Sequence, residues 1–127
     1  MPDRTLYFIT KSGETRTLKD SEYNISDNNC LCILDNIYIP FYQIPYFRIT
    51  EPFEFHANYP VMDREINIRV AGLNFFSFHK VSYPYMGPHI SFMQRDDKNV
   101  LTHYFPYSNV ISLTVNSQEE KEADAPV

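Results

Sequence analysis

The sequence predicts an all-β domain: a small sandwich or barrel of about ten short antiparallel strands. Three observations predict it. Apolar and polar residues alternate with period two in run after run, and no stretch of helical period exceeds about two turns. Ten Tyr and ten Phe, with no Trp, form an aromatic load that suits a pleated, half-buried surface. Nine prolines spread along the chain interrupt any long helix.

The elements follow in order. TLYFIT and TRTLK read as a hairpin turning on Gly13. DSEYNISDNN is rich in Asn, Asp and Ser and reads as a loop or an irregular edge. CLCIL and IYIPF flank the turn Asp35-Asn36, and YFRIT and FEFH are separated by Glu51-Pro52. EINIRV and FFSFHKV flank AGLN, where Gly72 permits a left-handed residue. HISFMQ and VLTHYF flank RDDKN, and VISLTV closes the domain. At 127 residues the chain suits one domain, spanning residues 1–115. Residues 116–127, NSQEEKEADAPV, have little to bury and are expected to be a disordered acidic tail, dispensable for folding.

One phrase is written twice. YIPFYQIPYFRI (Tyr38–Ile49) is echoed by YFPYSNVISLTV (Tyr104–Val115). Each copy runs along a strand, breaks at Pro40 or Pro106, turns through Tyr42-Gln43 or Ser108-Asn109, and resumes as a strand. Proline cannot donate a ladder hydrogen bond, so each belongs at a strand end or an edge. The phrase resembles the strand–corner–strand end of Sm-like and SH3-like barrels, over the twelve residues of each copy. Two copies imply two similar sheet corners in a pseudo-symmetric sandwich; the alternative is chance recurrence in a chain rich in Tyr, Phe and Pro.

The net charge is −5. The tail holds four acids and one base, so about −2 remains on residues 1–115. No basic footprint stands out, which argues against tight duplex binding. The two cysteines, Cys30 and Cys32, share one face of a strand, where a mutual disulfide would be strained. They are expected to be reduced and structural. The N-terminus lacks a secretory apolar core, and no run approaches the ~18 apolar residues of a membrane span. The expectation is a cytoplasmic protein with no membrane partner. Asn24-Ile25-Ser26 then reads as a chance glycosylation match.

Catalytic chemistry is not in evidence. Three separated glycines cannot form a phosphate-cradling loop. No nucleophile signature surrounds Cys30 or Cys32 and the histidines His56, His79, His89 and His103. A zinc set of the two cysteines with His79 and His89 lacks the paired knuckle spacing of structural sites. Asp96-Asp97 sits in a turn, and Glu51, Glu54, Asp63 and Glu65 read as loop and edge charges. The expectation is a protein that is not an enzyme and uses no cofactor and no metal.

The aromatics carry the functional reading. Phe75-Phe76 breaks the alternation and puts a ring on both faces of one strand, and SYPYMGPH reads as a loop presenting Tyr83, Tyr85 and Met86 on a Pro/Gly frame. Tyr and Met are enriched at protein contacts. The expected interaction residues are Phe75, Phe76, Tyr83, Tyr85 and Met86, in a non-enzymatic protein-interaction or assembly module. Its partner would be itself, as a homo-oligomer, or another protein, met through the aromatic loop and exposed strand edges. One alternative is an OB-like single-stranded nucleic-acid-binding protein with an acidic recruitment tail. The other is small-ligand binding in a Tyr/His-lined barrel mouth. The compact, motif-free character suits a bacteriophage or mobile-element accessory protein.

Overall fold

The computed structural model describes residues 4–26, 30–55, 58–73 and 75–117. Among these, the regular elements are strands and single 3-10 turns. The first half supplies β1 (Thr5–Ile9), β2 (Thr15–Lys19), β3 (Tyr23–Ser26), β4 (Cys30–Ile33), β5 (Ile37–Pro40) and β6 (Tyr46–Pro52). The second supplies β7 (Arg64–Val70), β8 (Phe76–Val81), β9 (Tyr85–Met86), β10 (Ile90–Asp96), β11 (Asn99–Phe105) and β12 (Val110–Ser117). They form a large antiparallel sheet in the order β12-β7-β8-β10-β11-β6-β1-β2, with β9 also on β10, and a small sheet β3-β4-β5. The all-β sandwich expected from period-two patterning is the fold observed.

Local departures have physical causes. Within polar DSEYNISDNN, Tyr23–Ser26 is a true strand because β4 offers it a ladder and Tyr23 packs on a core. FEFH is not a strand: β6 runs on through Pro52, and Phe53–Phe55 makes a 3-10 turn, with His56 outside the described residues. There Phe53 lies 3.5 Å beneath the Arg95 guanidinium and stacks on Tyr59. SYPYMGPH contains the two-residue strand β9. Residues 118–127, most of the acidic tail, lie outside the described residues.

The echoed phrase marks something larger. The same six-strand connectivity occurs twice. In the first half β1 pairs β2 and β6, and β3-β4-β5 form a meander; in the second, β7 pairs β8 and β12, and β9-β10-β11 form the matching meander. The registers coincide as well. Residues 5–9 correspond to 65–69, 16–18 to 76–78, 24–25 to 85–86, 31–33 to 90–92, 37–39 to 103–105 and 46–50 to 112–116. Each unit therefore has its own core at equivalent positions: Leu6, Phe8, Leu31 and Ile33 in the first, Ile66, Ile68, Ile90 and Phe92 in the second.

The two corners match in detail. After Pro40 and after Pro106 the chain makes a 3-10 turn, Phe41–Gln43 or Tyr107–Asn109. The last carbonyl of each turn accepts a backbone N–H from a hairpin tip: Gln43 from Lys11 at 2.9 Å, Asn109 from Ala71 at 2.8 Å. Those tips turn on Gly13 (φ 93°) and Gly72 (φ 78°), the left-handed conformation that glycine adopts without strain. Asn109 Nδ2 reaches the Tyr42 carbonyl at 3.3 Å, so the corners lie side by side.

The units join where β6 pairs with β11, from Tyr104↔Phe47 to Asn99↔Pro52. The opposite face of β1 and β6 (Tyr7, Ile9 and Tyr46) packs into the second unit's core. That core holds a polar chain. Gln94 Nε2 donates to the His79 carbonyl at 3.1 Å, which turns its Oε1 toward His103 Nε2 at 3.0 Å. His103 Nε2 is then the protonated nitrogen, and Nδ1 accepts from the Tyr46 hydroxyl at 2.7 Å. Burial pushes His103 down to about 3, with Arg48 adding to the effect, and pushes Tyr46 up to about 12.

Because the folded His103 sits below its ordinary 6.5, unfolding takes up a proton between those values. Its contribution to stability is full above about 6.5 and falls as pH drops toward about 3, by about 1.4 kcal/mol per unit. Denaturant titrations from about pH 7 to about pH 4 should show this slope. In His103→Gln, the slope should lose the equivalent of one proton.

Candidate interaction site

β10 and β11 form a hairpin whose two faces serve different ends. One face carries Phe92, His103 and Phe105 into the second core. The other carries Ser91 opposite Tyr104 and Met93 opposite Thr102; Tyr104 packs on the first core, while Ser91 and Met93 are only half-buried. This face is the floor of an open groove made of two adjoining cavities, of about 460 and 320 Å3, that share Met93, Thr102 and Tyr104.

The walls come from equivalent places in the two units. One is β3 with its approach, contributing Asp20, Tyr23 and Ile25 beside Arg4 and Glu51. The other is the loop into β9, contributing Tyr83 and Tyr85, with Pro60 beside them. Both are structurally required: β3 and β9 are the outer strands of corresponding meanders.

The electrostatics differ along the groove. At the β3 end, Arg4 Nε donates to Glu51 Oε2 at 2.9 Å, with Glu51 only 7% exposed. That hydrogen bond raises the Arg4 pKa. Burial, followed by the Asp20 charge, pushes Tyr23 up to about 12. Burial likewise raises Tyr104. At the other end none of the described lining residues is charged. At neutral pH the tyrosines on the floor and at the β3 wall are therefore protonated, and Arg4 is matched by Glu51 with Asp20 beside them. The surface suits amphipathic chain more than a polyanion.

The loop that carries Tyr83 and Tyr85 is held firmly. Ser82 N–H donates to the Met93 carbonyl at 2.9 Å, and Met93 N–H donates to Ser82 Oγ at 2.8 Å. Pro84 is buried, β9 pairs with β10, and the Tyr107 hydroxyl donates to the Gly87 carbonyl at 2.8 Å. On this frame Tyr83, Tyr85 and Met86 remain 66%, 67% and 55% exposed. Arg64 lies 5.6 Å from the Tyr83 ring centroid. The Tyr85 ring lies over Gly87, in the space a Cβ there would take.

The five sequence-predicted residues do not form one patch. Tyr83 and Tyr85 line the groove, with Met86 next along the loop. Phe76 is half-buried against the second core, 5.4 Å from both Tyr46 and Phe105. Phe75 is 59% exposed, but it precedes β8 while Tyr83 follows it, so roughly 20 Å of strand separates the two. Sequence reasoning missed Ser91, Met93, Thr102 and Tyr104. The alternation in HISFMQ and VLTHYF does place them on one face, but only the incomplete cover over that face makes it a groove.

The remaining candidates are dispersed. His89 stands in a second cleft of about 250 Å3 between the two corners, lined by Phe41, Tyr42, Pro106 and Tyr107, and burial lowers its pKa. Cys30 is half-buried and Cys32 buried, both as thiols rather than a disulfide. His103 points into the core of its own, second unit. Among the described residues no three His, Cys, Asp or Glu side chains gather as a metal site, and no helix is long and apolar enough to cross a membrane. No protein-family model, curated protein or solved structure matches the chain.

Gly87→Ala tests the loop frame. The added methyl must displace the Tyr85 ring, a mobile side chain, so stability should change by less than about 1 kcal/mol. Ring-proton contacts of Tyr85 measured by NMR should change, while those of Phe92 and Tyr104 stay.

Proposed function

We propose that the protein is a non-enzymatic interaction and assembly module of the cytoplasm. Its groove takes up an extended segment of a partner protein. The observation that carries this reading is the pair of tyrosines, Tyr83 and Tyr85, two-thirds exposed on a loop pinned at both ends. A loop pinned in place presents its rings without the backbone ordering cost that a mobile loop would incur on binding. Isolated exposed rings are ordinary, but these two continue into a concave floor of Met93 and Tyr104, the anatomy of a hot spot with an apolar centre and a polar rim. Tyrosine hydroxyls and the Ser and Thr of the floor can satisfy the backbone of an extended chain. Cys30 and Cys32 as thiols outside any disulfide are compatible with a reducing compartment.

Selection from a library of short linear peptides, followed by titration calorimetry, tests the reading. Tyr83→Ala combined with Tyr85→Ala should leave the fold intact and weaken the selected peptides about 100-fold or more, hot-spot losses being ~2 kcal/mol each. Raising the salt should weaken binding only slightly. A steep salt dependence, with binding of single-stranded oligonucleotides, would move the function to nucleic acid. Peptide binding unaffected by the double substitution would remove the groove from the function.

A further inference from the structure

The two units differ in one respect that bears on assembly. In the first, β6 is covered on its outer edge by β11. Its counterpart β12 ends the large sheet and has no strand beyond it among the described residues. We infer that β12 pairs with β12 of a second copy, antiparallel across a two-fold axis, making a closed dimer. The inference rests on the assembly part of the reading above but uses a different surface from the groove.

Three observations support this occupant. First, β12 reads VISLTVNS, eight residues without a charge or a proline, the devices by which proteins blunt an exposed edge. The other free edges carry them or are short. β2 has exposed Arg16 and Lys19, β5 ends at Pro40, and β3 spans four residues. Second, the strand is complementary to itself. Leu113 and Val115 face the second core while Ser112, Thr114 and Asn116 are exposed. With Thr114 on the axis, Leu113 meets Val115 of the second copy and Ser112 meets its Asn116. Apolar pairs then lie on one face and hydrogen-bonding pairs on the other, as cross-strand pairing favours. The bulge at Ile111 falls outside this ladder.

Third, the competing head-to-tail arrangement is poorly supported. It would repeat the junction between the units by laying β12 on β5 of another copy. The junction relies on Tyr7, Ile9 and Tyr46 packing into the next core. Their counterparts on the second unit are Asn67, Arg69 and Ser112, which bury poorly. Antiparallel pairing also sets the two Ser117 residues at opposite ends of the ladder, whereas parallel pairing would set them side by side.

Light scattering on the full chain should give twice the 15.0 kDa of one chain. Thr114→Lys and Thr114→Glu each place like charges opposite one another at the axis. Each variant alone should fall to the mass of one chain while keeping the far-UV and near-UV circular dichroism of the unaltered chain, because Thr114 is exposed. Mixed in equal amounts, the two should restore the dimer, a result specific to this register. Should either variant fail to fold, hydrogen exchange on the unaltered chain decides: amides within 112–116 should gain protection as concentration rises. Tyr83→Ala with Tyr85→Ala should keep the dimer, and Thr114→Lys should keep peptide binding, so the two readings fail separately. A single-chain mass at every concentration, a Thr114→Lys dimer, a concentration-dependent series of larger species, or unchanged exchange at 112–116 would each overturn the proposal.

Discussion

The pairing of β6 with β11 is the interaction on which the remaining structure depends. Its ladder runs from Phe47 and Tyr104, whose rings stack at 4.6 Å, to Pro52 and Asn99. Strand sides alternate, so this one ladder commits two cores at once. Phe47 goes into the first and Tyr46 into the second, with Tyr104 and Phe105 following the same division. The ladder also carries the second hairpin beside the small sheet, leaving the face of Ser91, Met93, Thr102 and Tyr104 between two walls. Without it, each six-stranded unit would lose a face of cover and the groove would have no floor.

Repetition explains the architecture, and departures from repetition explain the candidate sites. The connection between the inner strands of the meander is Leu34–Asn36 in the first unit and Met93–Thr102 in the second. That longer hairpin supplies the stretch that pairs with Ile49 to Pro52 and the groove floor with it. The outer strand of the meander is polar in the first unit, at Asn24, and aromatic at the matching Tyr85 in the second. A conserved scaffold of ladders tolerates such changes because they fall on faces and tips that the cores do not use.

Titratable groups inside the fold act as structural elements. His103 and Tyr46 hold their hydrogen bond with both groups neutral, because burial moves each away from the pH range where it would exchange a proton. A catalytic pair would need at least one member poised near neutrality. The chain from Tyr46 through His103 to Gln94 instead satisfies polar atoms that the β6–β11 junction buries. Its unsatisfied members would otherwise weaken the interface between the units.

Much of the fold was legible in the sequence. Period-two alternation identified the core strands because it is a local consequence of the pleat, and Gly13 and Gly72 marked hairpins because their turns need a left-handed residue. The echo around Pro40 and Pro106 located both corners for a similarly local reason: proline ends the ladder and the next three residues make one turn. Strand β3 was hidden because polar residues become a strand only when a neighbour offers hydrogen bonds. Phe75 and Phe76 were indistinguishable in sequence, yet Phe76 packs against a core and Phe75 faces solvent. The sequence by itself determined the strand class, the corners and the inward residues of each strand, since these follow from backbone sterics and side-chain periodicity. The tertiary structure alone decided that twelve strands form two matching units, which hairpin face stays open and which edge stays unpaired. Those outcomes depend on pairings between residues far apart in the chain, and no local pattern encodes them.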